Sequence, residues 1–220
     1  MYKFVKRILD FLFALTVLII LSPILIPIAI ILKCTGEHYI FYLQKRVGYH
    51  NKYFNIYKFA TMLKNSPNIG TGSITLRNDP RLLPLGKFLR KTKINELPQI
   101  LNVLLGNMSI VGPRPLVDRT YNAYPVGIRE QVYNTVPGIT GIGSVFFRDE
   151  ESLISNSGKP PHEYYEAVIA PYKGALEMWY NKHQSFYTDF MIIFLTAWVI
   201  IFPNSKLMFS IFKNLPKRTF

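Results

Sequence analysis

The sequence predicts an α+β, mainly helical, monotopic membrane protein. It would have an N-terminal re-entrant helix hairpin and a cytoplasmic-face domain with a small β element and amphipathic surface helices. Three observations predict this. Phe11 to Leu32 is a run of 22 residues without a charge. Lys3, Lys6 and Arg7 precede the run and Lys33, Lys45 and Arg46 follow it, so both flanks carry the positive charge that marks the cytoplasmic side. Ser22-Pro23 divides the run, with Pro27 one turn later.

The first element, residues 1–36, is the membrane element. About 20 apolar residues suffice to cross a bilayer. A cleaved signal sequence has a shorter apolar core and a small-residue cleavage site. The following LKCTGEHYIFY offers no such site, so the element is expected to be retained. Proline removes a backbone donor and kinks a helix. A helix broken at its centre with both ends cytoplasmic is a hairpin. A plain spanning helix with a tolerated kink is the competing reading.

Residues 37–189 form the central domain. FYLQKRVG and KYFNIYKFATM alternate aromatic and polar residues, which predicts one or two strands or a hairpin, with Gly48 and Asn51 as turn signals. Residues 66–80 are rich in Ser, Pro, Asn, Gly and Asp and read as a loop. Residues 81–94 set Leu82, Leu85, Phe88 and Leu89 against Arg81, Lys87, Arg90, Lys91 and Lys93. That is a basic amphipathic segment suited to anionic lipid. Leu97, Ile100, Leu101, Leu104 and Leu105 recur at helical spacing over residues 96–105. Asn95 would cap that helix, with Glu96 and Pro98 in its first turn. Residues 137–148 read as a turn and a strand, and residues 160–183 as a helix.

Residues 190–220 form a C-terminal apolar and basic segment. Phe190 to Pro203 is too short to span comfortably. With Trp198 and several Phe it suits an interfacial or half-buried helix; a core helix with a solvated tail is the alternative.

Composition limits the function. Of 220 residues, 26 are Lys or Arg and 13 Asp or Glu, a net charge of +13, while 49% are hydrophobic and only 18% charged. A disordered polyelectrolyte is excluded. A basic, apolar chain suits anionic membrane lipids or phosphate-bearing ligands. No base-reading motif accompanies the charge, so no nucleic-acid partner is expected. One cysteine, Cys34, excludes an internal disulfide framework and a cysteine zinc site. The sequence contains neither GxxxxGK[ST] nor GxSxG, and Gly70-Thr71-Gly72 is only a fragment of a dinucleotide fingerprint. His38, His50, His162 and His183 show no metal-binding spacing. Asp149-Glu150-Glu151 fits a loop or helix start better than a metal cluster.

The remaining chemistry gathers around residue 96. A helix start there would offer free N–H groups to an anion. Arg90 lies just upstream. Arg114 is held between Pro113 and Pro115, and a stiffly held guanidinium suits bidentate phosphate binding. Lys58 and Arg77 add positive charge. A divalent ion could join Glu96 or Asp79 to a phosphate. The pattern points to a diphosphate site at a membrane surface.

These residues carry a resemblance. Leu89-Arg90-Lys91-Thr92, Asn95-Glu96-Leu97-Pro98-Gln99, Asn102-Val103-Leu104, Met108 to Pro115 (MSIVGPRP) and Pro137 to Gly141 (PGITG) occur in this order. With Asn78-Asp79-Pro80-Arg81 and the Ser22-Pro23 kink, they resemble the bacterial sugar transferase family, the monotopic polyprenyl-phosphate phosphoglycosyl transferases, over essentially the whole chain. The chain is similar to the minimal form, without additional spanning helices. The resemblance implies transfer of a sugar-1-phosphate from a nucleotide diphosphate sugar, usually a UDP-sugar, to undecaprenyl phosphate, with release of UMP. This starts O-antigen, capsule, exopolysaccharide or glycoprotein glycan assembly at the cytoplasmic face of the bacterial inner membrane. It also implies Mg²⁺, bound by Glu96, and an aspartyl phospho-sugar intermediate on an Asp-Glu pair. Here Asn95-Glu96 stands where that pair is expected. An active variant using Glu96, Asp79 or direct attack by the acceptor fits this departure. So does an inactivated enzyme, and so does a binding relative without catalysis.

Overall fold

The structure is a computed structural model and describes residues 1–66 and 80–218. The chain sorts into two compact units. One comprises residues 1–10, 46–54 and 106–220, the other residues 11–45 and 55–105. Helix α1 (Tyr2–Cys34) and the strands β1 (Phe41–Val47) and β2 (Tyr53–Phe59) contribute to both.

Helix α1 continues through Pro23 and Pro27, so the expected division at Ser22-Pro23 is not a break in the helix. The Ser22 hydroxyl donates to the Ile19 carbonyl at 2.7 Å. A serine that bonds back into the preceding turn helps a helix accommodate proline. Ile19, Ile20, Ile24, Ile26, Ile30 and Ile31 are all exposed. Such an uncovered apolar surface suits lipid rather than water.

The second unit is built on the β1/β2 pair. Its buried centre is Leu32, Phe59 and Leu89, with Leu25, Ile28, Ile40, Leu85 and Ile94 packed around it. Helix α2 (Gly86–Lys91) begins where the backbone passes Thr61. A Cβ on Gly86 would lie 2.1 Å from the Thr61 carbonyl oxygen, so only glycine fits. Within the predicted amphipathic segment Leu83 and Leu89 are buried but Phe88 is exposed. Arg81 is buried too and donates to the Ser66 carbonyl at 2.8 Å. The single apolar face expected over residues 81–94 therefore does not form, because its leucines serve this core.

The predicted helix over residues 96–105 begins differently. A 3-10 turn spans Ile94–Gln99, and helix α3 (Ile100–Leu105) follows. Asn102, fully buried, joins α3 to β2: its Oδ1 accepts from Tyr57 N at 3.0 Å and its Nδ2 donates to the Asn55 carbonyl at 2.8 Å.

The first unit holds the larger core. Strands β3 (Ser109–Val111) and β4 (Gly138–Thr140) pair in parallel, Ser109 opposite Gly138 and Val111 opposite Thr140. Between them come the short helices α4 (Asp118–Asn122) and α5 (Val126–Arg129). After β4 come α6 (Ile142–Phe146), α7 (Glu150–Ser155), α8 (Pro161–Tyr164), a π-helical turn, α9 (Ala170–Lys182), α10 (Phe186–Ile201) and α11 (Leu207–Ile211). The strand expected over residues 137–148 thus ends early and gives way to α6. Helix α10 buries Ile192, Leu195 and Val199 while Phe190, Ile200 and Ile201 stay exposed, as a half-buried helix should. The first turns of α1 are tied in by polar contacts. Lys6 Nζ lies 2.8 Å from Asp189 Oδ2, and Asp10 accepts from Ser109 Oγ at 2.6 Å and Ile110 N at 3.2 Å.

Candidate functional site

The second unit supplies the turn that carries Asn95 and Glu96. Helix α2 stops at Thr92, and Lys93 adopts a left-handed conformation with φ 60°. That reversal starts the 3-10 turn, and Glu96 N donates to the Lys93 carbonyl at 3.0 Å. Asn95 is therefore inside the turn, not at its cap, which corrects the sequence expectation. The helical N-terminus expected to hold an anion is a short 3-10 turn whose first position is Ile94.

Glu96 is about one third exposed, and Lys58 Nζ, reaching from β2, lies 3.0 Å from its Oε1. Lys58, read from the sequence only as added positive charge, thus pairs directly with Glu96. A lysine at that distance favours the ionised carboxylate. Asn95 presents the opposite picture. Its Oδ1 is buried and accepts no hydrogen bond from any protein group. An orphaned oxygen beside an anchored carboxylate is a pair of hard donors. Arg90 is half-buried with Nη1 3.5 Å from Met62 Sδ. Arg77 and Asp79 fall outside the described residues. Among the described residues no group of three or more His, Cys, Asp or Glu is placed to hold a metal.

The first unit supports Arg114 by its own means. Gly112 N donates to the Thr140 carbonyl and Gly138 N to the Pro113 carbonyl, both at 2.9 Å. The chains cross so closely that a Cβ on Gly112 would sit 2.4 Å from the Val136 carbonyl oxygen. Tyr133, fully buried, then fastens the turn: its hydroxyl donates to the Arg114 carbonyl at 2.8 Å and accepts from Leu116 N at 2.9 Å. Pro115 is buried and Arg114 is exposed. The turn is thus pinned on both sides of an arginine that faces outward.

Sequence reasoning passed over two groups here. One is Tyr133. The other is Glu177, 1% exposed in the middle of α9. Burial pushes its carboxyl up to about 8, against the opposing charges of Lys173 and Arg114 and the Arg114 backbone amide. Lys173 is buried and paired with Glu150 Oε2 at 2.5 Å. Glu150 starts α7, so the acidic run at 149–151 is a helix start carrying an ion pair. A lone glutamate inside the apolar stretch Ala175-Leu176-Glu177-Met178-Trp179 was the available signal.

Comparison with known proteins agrees with the motifs. The model of the bacterial sugar transferase family matches residues 1–203. The undecaprenyl-phosphate galactose phosphotransferase of Salmonella typhimurium is 33% identical over 213 residues, covering 90% of this chain and 41% of that protein. The UDP-N-acetylgalactosamine-undecaprenyl-phosphate N-acetylgalactosaminephosphotransferase of Aeromonas hydrophila is 32% identical, covering 91% of this chain and 44% of its own length. The exopolysaccharide production protein ExoY of Sinorhizobium fredii is 32% identical over 171 residues, 71% of this chain and 75% of its own. The chain therefore spans about two fifths of the first two relatives and three quarters of the third.

Proposed function

The chain belongs to the bacterial sugar transferase family, and from that premise we propose that it transfers a sugar-1-phosphate from a UDP-sugar to undecaprenyl phosphate and releases UMP. The observation that carries this reading is the Lys58–Glu96 pair at 3.0 Å in the turn that also holds Asn95. It keeps one ionised carboxylate fixed where the resemblance calls for an acidic pair. Glu96 takes the nucleophile's role. A carboxylate oxygen attacks the β-phosphorus of the donor, the bond to the bridging oxygen breaks, and UMP leaves with the electron pair. A phosphate oxygen of the acceptor then attacks the same phosphorus and expels the carboxylate. Covalent storage lets a soluble donor and a lipid acceptor use one site in turn. Arg114 and Arg90 bind donor phosphate, with Arg77 and Asp79 in supporting roles.

Magnesium fits the donor set. Mg²⁺ is held by one or two carboxylates together with substrate phosphates rather than by an all-protein cage. Glu96 would supply the anionic oxygen and Asn95 Oδ1 a neutral one. When bound, the ion would neutralise charge on the phosphates.

The setting is the bacterial inner membrane, with the site on the cytoplasmic face beside anionic lipids. The basic residues on both flanks of the apolar run support a re-entrant path, entering and leaving on one side. Labelling of single cysteines at positions 3 and 36 in intact cells tests it: protection of both supports the path, and opposite accessibility defeats it.

Asn95 itself favours a second reading, a binding relative with impaired catalysis. UMP release from a panel of UDP-sugars with Mg²⁺, with and without undecaprenyl phosphate, separates the two. Acceptor-dependent release supports the transferase, and an acid-stable phospho-sugar on Glu96 supports the covalent route. Release without that adduct assigns direct attack by the acceptor. Silence from every donor, relieved by Asn95→Asp, assigns the impaired relative.

A further inference from the structure

We propose that Glu177 is a positioning residue for the Pro113-Arg114-Pro115 turn: its buried carboxyl group fills the recess behind Gly141 and Gly143, against the Gly112 crossing, and so keeps the outward Arg114 guanidinium available to a nucleoside diphosphate. The proposal rests on the reading of Arg114 as a phosphate contact.

The geometry makes a recess for this one carboxyl. A Cβ on Gly143 would meet Glu177 Oε1 at 2.4 Å, and a Cβ on Gly141 would meet Oε2 at 3.7 Å and the Gly112 carbonyl oxygen at 2.2 Å. Two glycines after β4 thus leave the space that the carboxyl fills, under the crossing that sets the GPRP turn. The Arg114 backbone amide lies close enough to favour the ionised form, yet neither carboxyl oxygen is in full hydrogen-bond geometry with a protein group. A buried, incompletely partnered acid is held neutral far more easily than ionised.

Charged and phenolic groups surround the carboxyl. Lys173 is the nearest cation on α9, and it is occupied by Glu150 from α7. Tyr124, Tyr133 and Tyr165 also face the carboxyl, and burial raises all three phenols above their ordinary value. Glu177 is therefore the group whose charge changes as pH passes about 8. Once ionised, it draws the Arg114 charge to itself and opposes a diphosphate arriving on the other side.

The test is the affinity of the full chain in lipid nanodiscs for UDP, with Mg²⁺ present, measured by calorimetry from pH 6.5 to 9.5. Wild type should weaken by about tenfold across that range, the scale of one charge set against another through a partly wet path. Glu177→Gln keeps the shape and cannot ionise, so its affinity should stay within about twofold of wild type at pH 6.5 and remain flat. Arg114→Ala should bind weakly at every pH and lose the alkaline trend. Thermal unfolding of each variant checks that the fold is kept. A flat wild-type profile, or an alkaline trend that survives in Glu177→Gln, overturns the proposal. Absence of UDP binding by wild type at pH 6.5 instead defeats the underlying reading of the diphosphate site, and the proposal with it.

Discussion

Glu96 and Glu177 each feel a lysine, and the molecule treats them in opposite ways. Glu96 is about one third exposed and meets Lys58 at 3.0 Å. Glu177 is almost wholly buried, and the lysine on its own helix is spent on Glu150. The first carboxylate is kept charged and reachable; the second is pushed towards its neutral form. The difference teaches how to sort acids in a basic chain. Charge-bearing chemistry needs a wet, paired carboxylate, while a dry and unpaired one belongs to the scaffold.

The largest expected effect breaks the comparison from the Glu96 side. Glu96→Gln should reduce UMP release by about a thousandfold or more, because it removes the charged oxygen of the site. Its unfolding free energy should shift by less than about 1 kcal/mol, since a partly exposed ion pair contributes little. A variant that retains a tenth of wild-type turnover removes Glu96 from the mechanism. Glu177→Gln should show the reverse profile in stability. An acid whose folded pKa is raised makes the fold lose stability as pH climbs from its unfolded value to about 8. Wild type should therefore melt lower at pH 8.5 than at pH 5.5 by more than the Gln variant does. Equal slopes for the two chains would mean that Glu177 ionises freely.

Next in size comes the clasp over Arg114. Tyr133→Phe leaves the buried Leu116 N–H and the Arg114 carbonyl without their partner. Each unsatisfied group costs about 1–3 kcal/mol, so a total near 2–4 kcal/mol in denaturant unfolding is expected. A loss under about 0.5 kcal/mol would show that the turn is fixed by its prolines and glycines alone.

Much of this was legible in the sequence. The GPRP and PGITG segments spell their own turns, because proline and glycine restrict or release the backbone locally. The paired strands β1 and β2, the half-buried α10 and the apolar α1 follow from periodicity and length. The start of α3 was not legible. Asn95 and Glu96 look like a cap and a first turn, and only the left-handed Lys93 shows that a 3-10 turn precedes the helix. The lipid-facing reading of residues 81–94 failed for a similar reason. Pattern alone cannot say whether Leu85 and Leu89 meet a membrane or the Leu32–Phe59 core. Lys58 and Glu96 stand 38 residues apart, so their pairing is a product of tertiary structure. Glu177 escaped notice because helical periodicity assigns a face, not a protonation state.

The smallest effect concerns the clasp in the other unit. Asn102 is fully buried and makes two hydrogen bonds to β2, much as Tyr133 makes two to the Arg114 turn. Its partners are wetter, however: Asn55 is exposed and Tyr57 only half-buried. Water can replace part of what Asn102→Ala removes, so the expected cost is about 1–2 kcal/mol, below that of Tyr133→Phe. The same loss should appear in function, because Lys58 follows Tyr57 directly on β2 and reaches Glu96 from there. With the strand less firmly held, the Lys58–Glu96 distance varies more, and UMP release should fall by roughly threefold to tenfold without a change in pH dependence. A cost equal to that of Tyr133→Phe would erase the contrast between a wet site and a dry scaffold. An unchanged rate at reduced stability would show that Lys58 finds Glu96 without help from the strand.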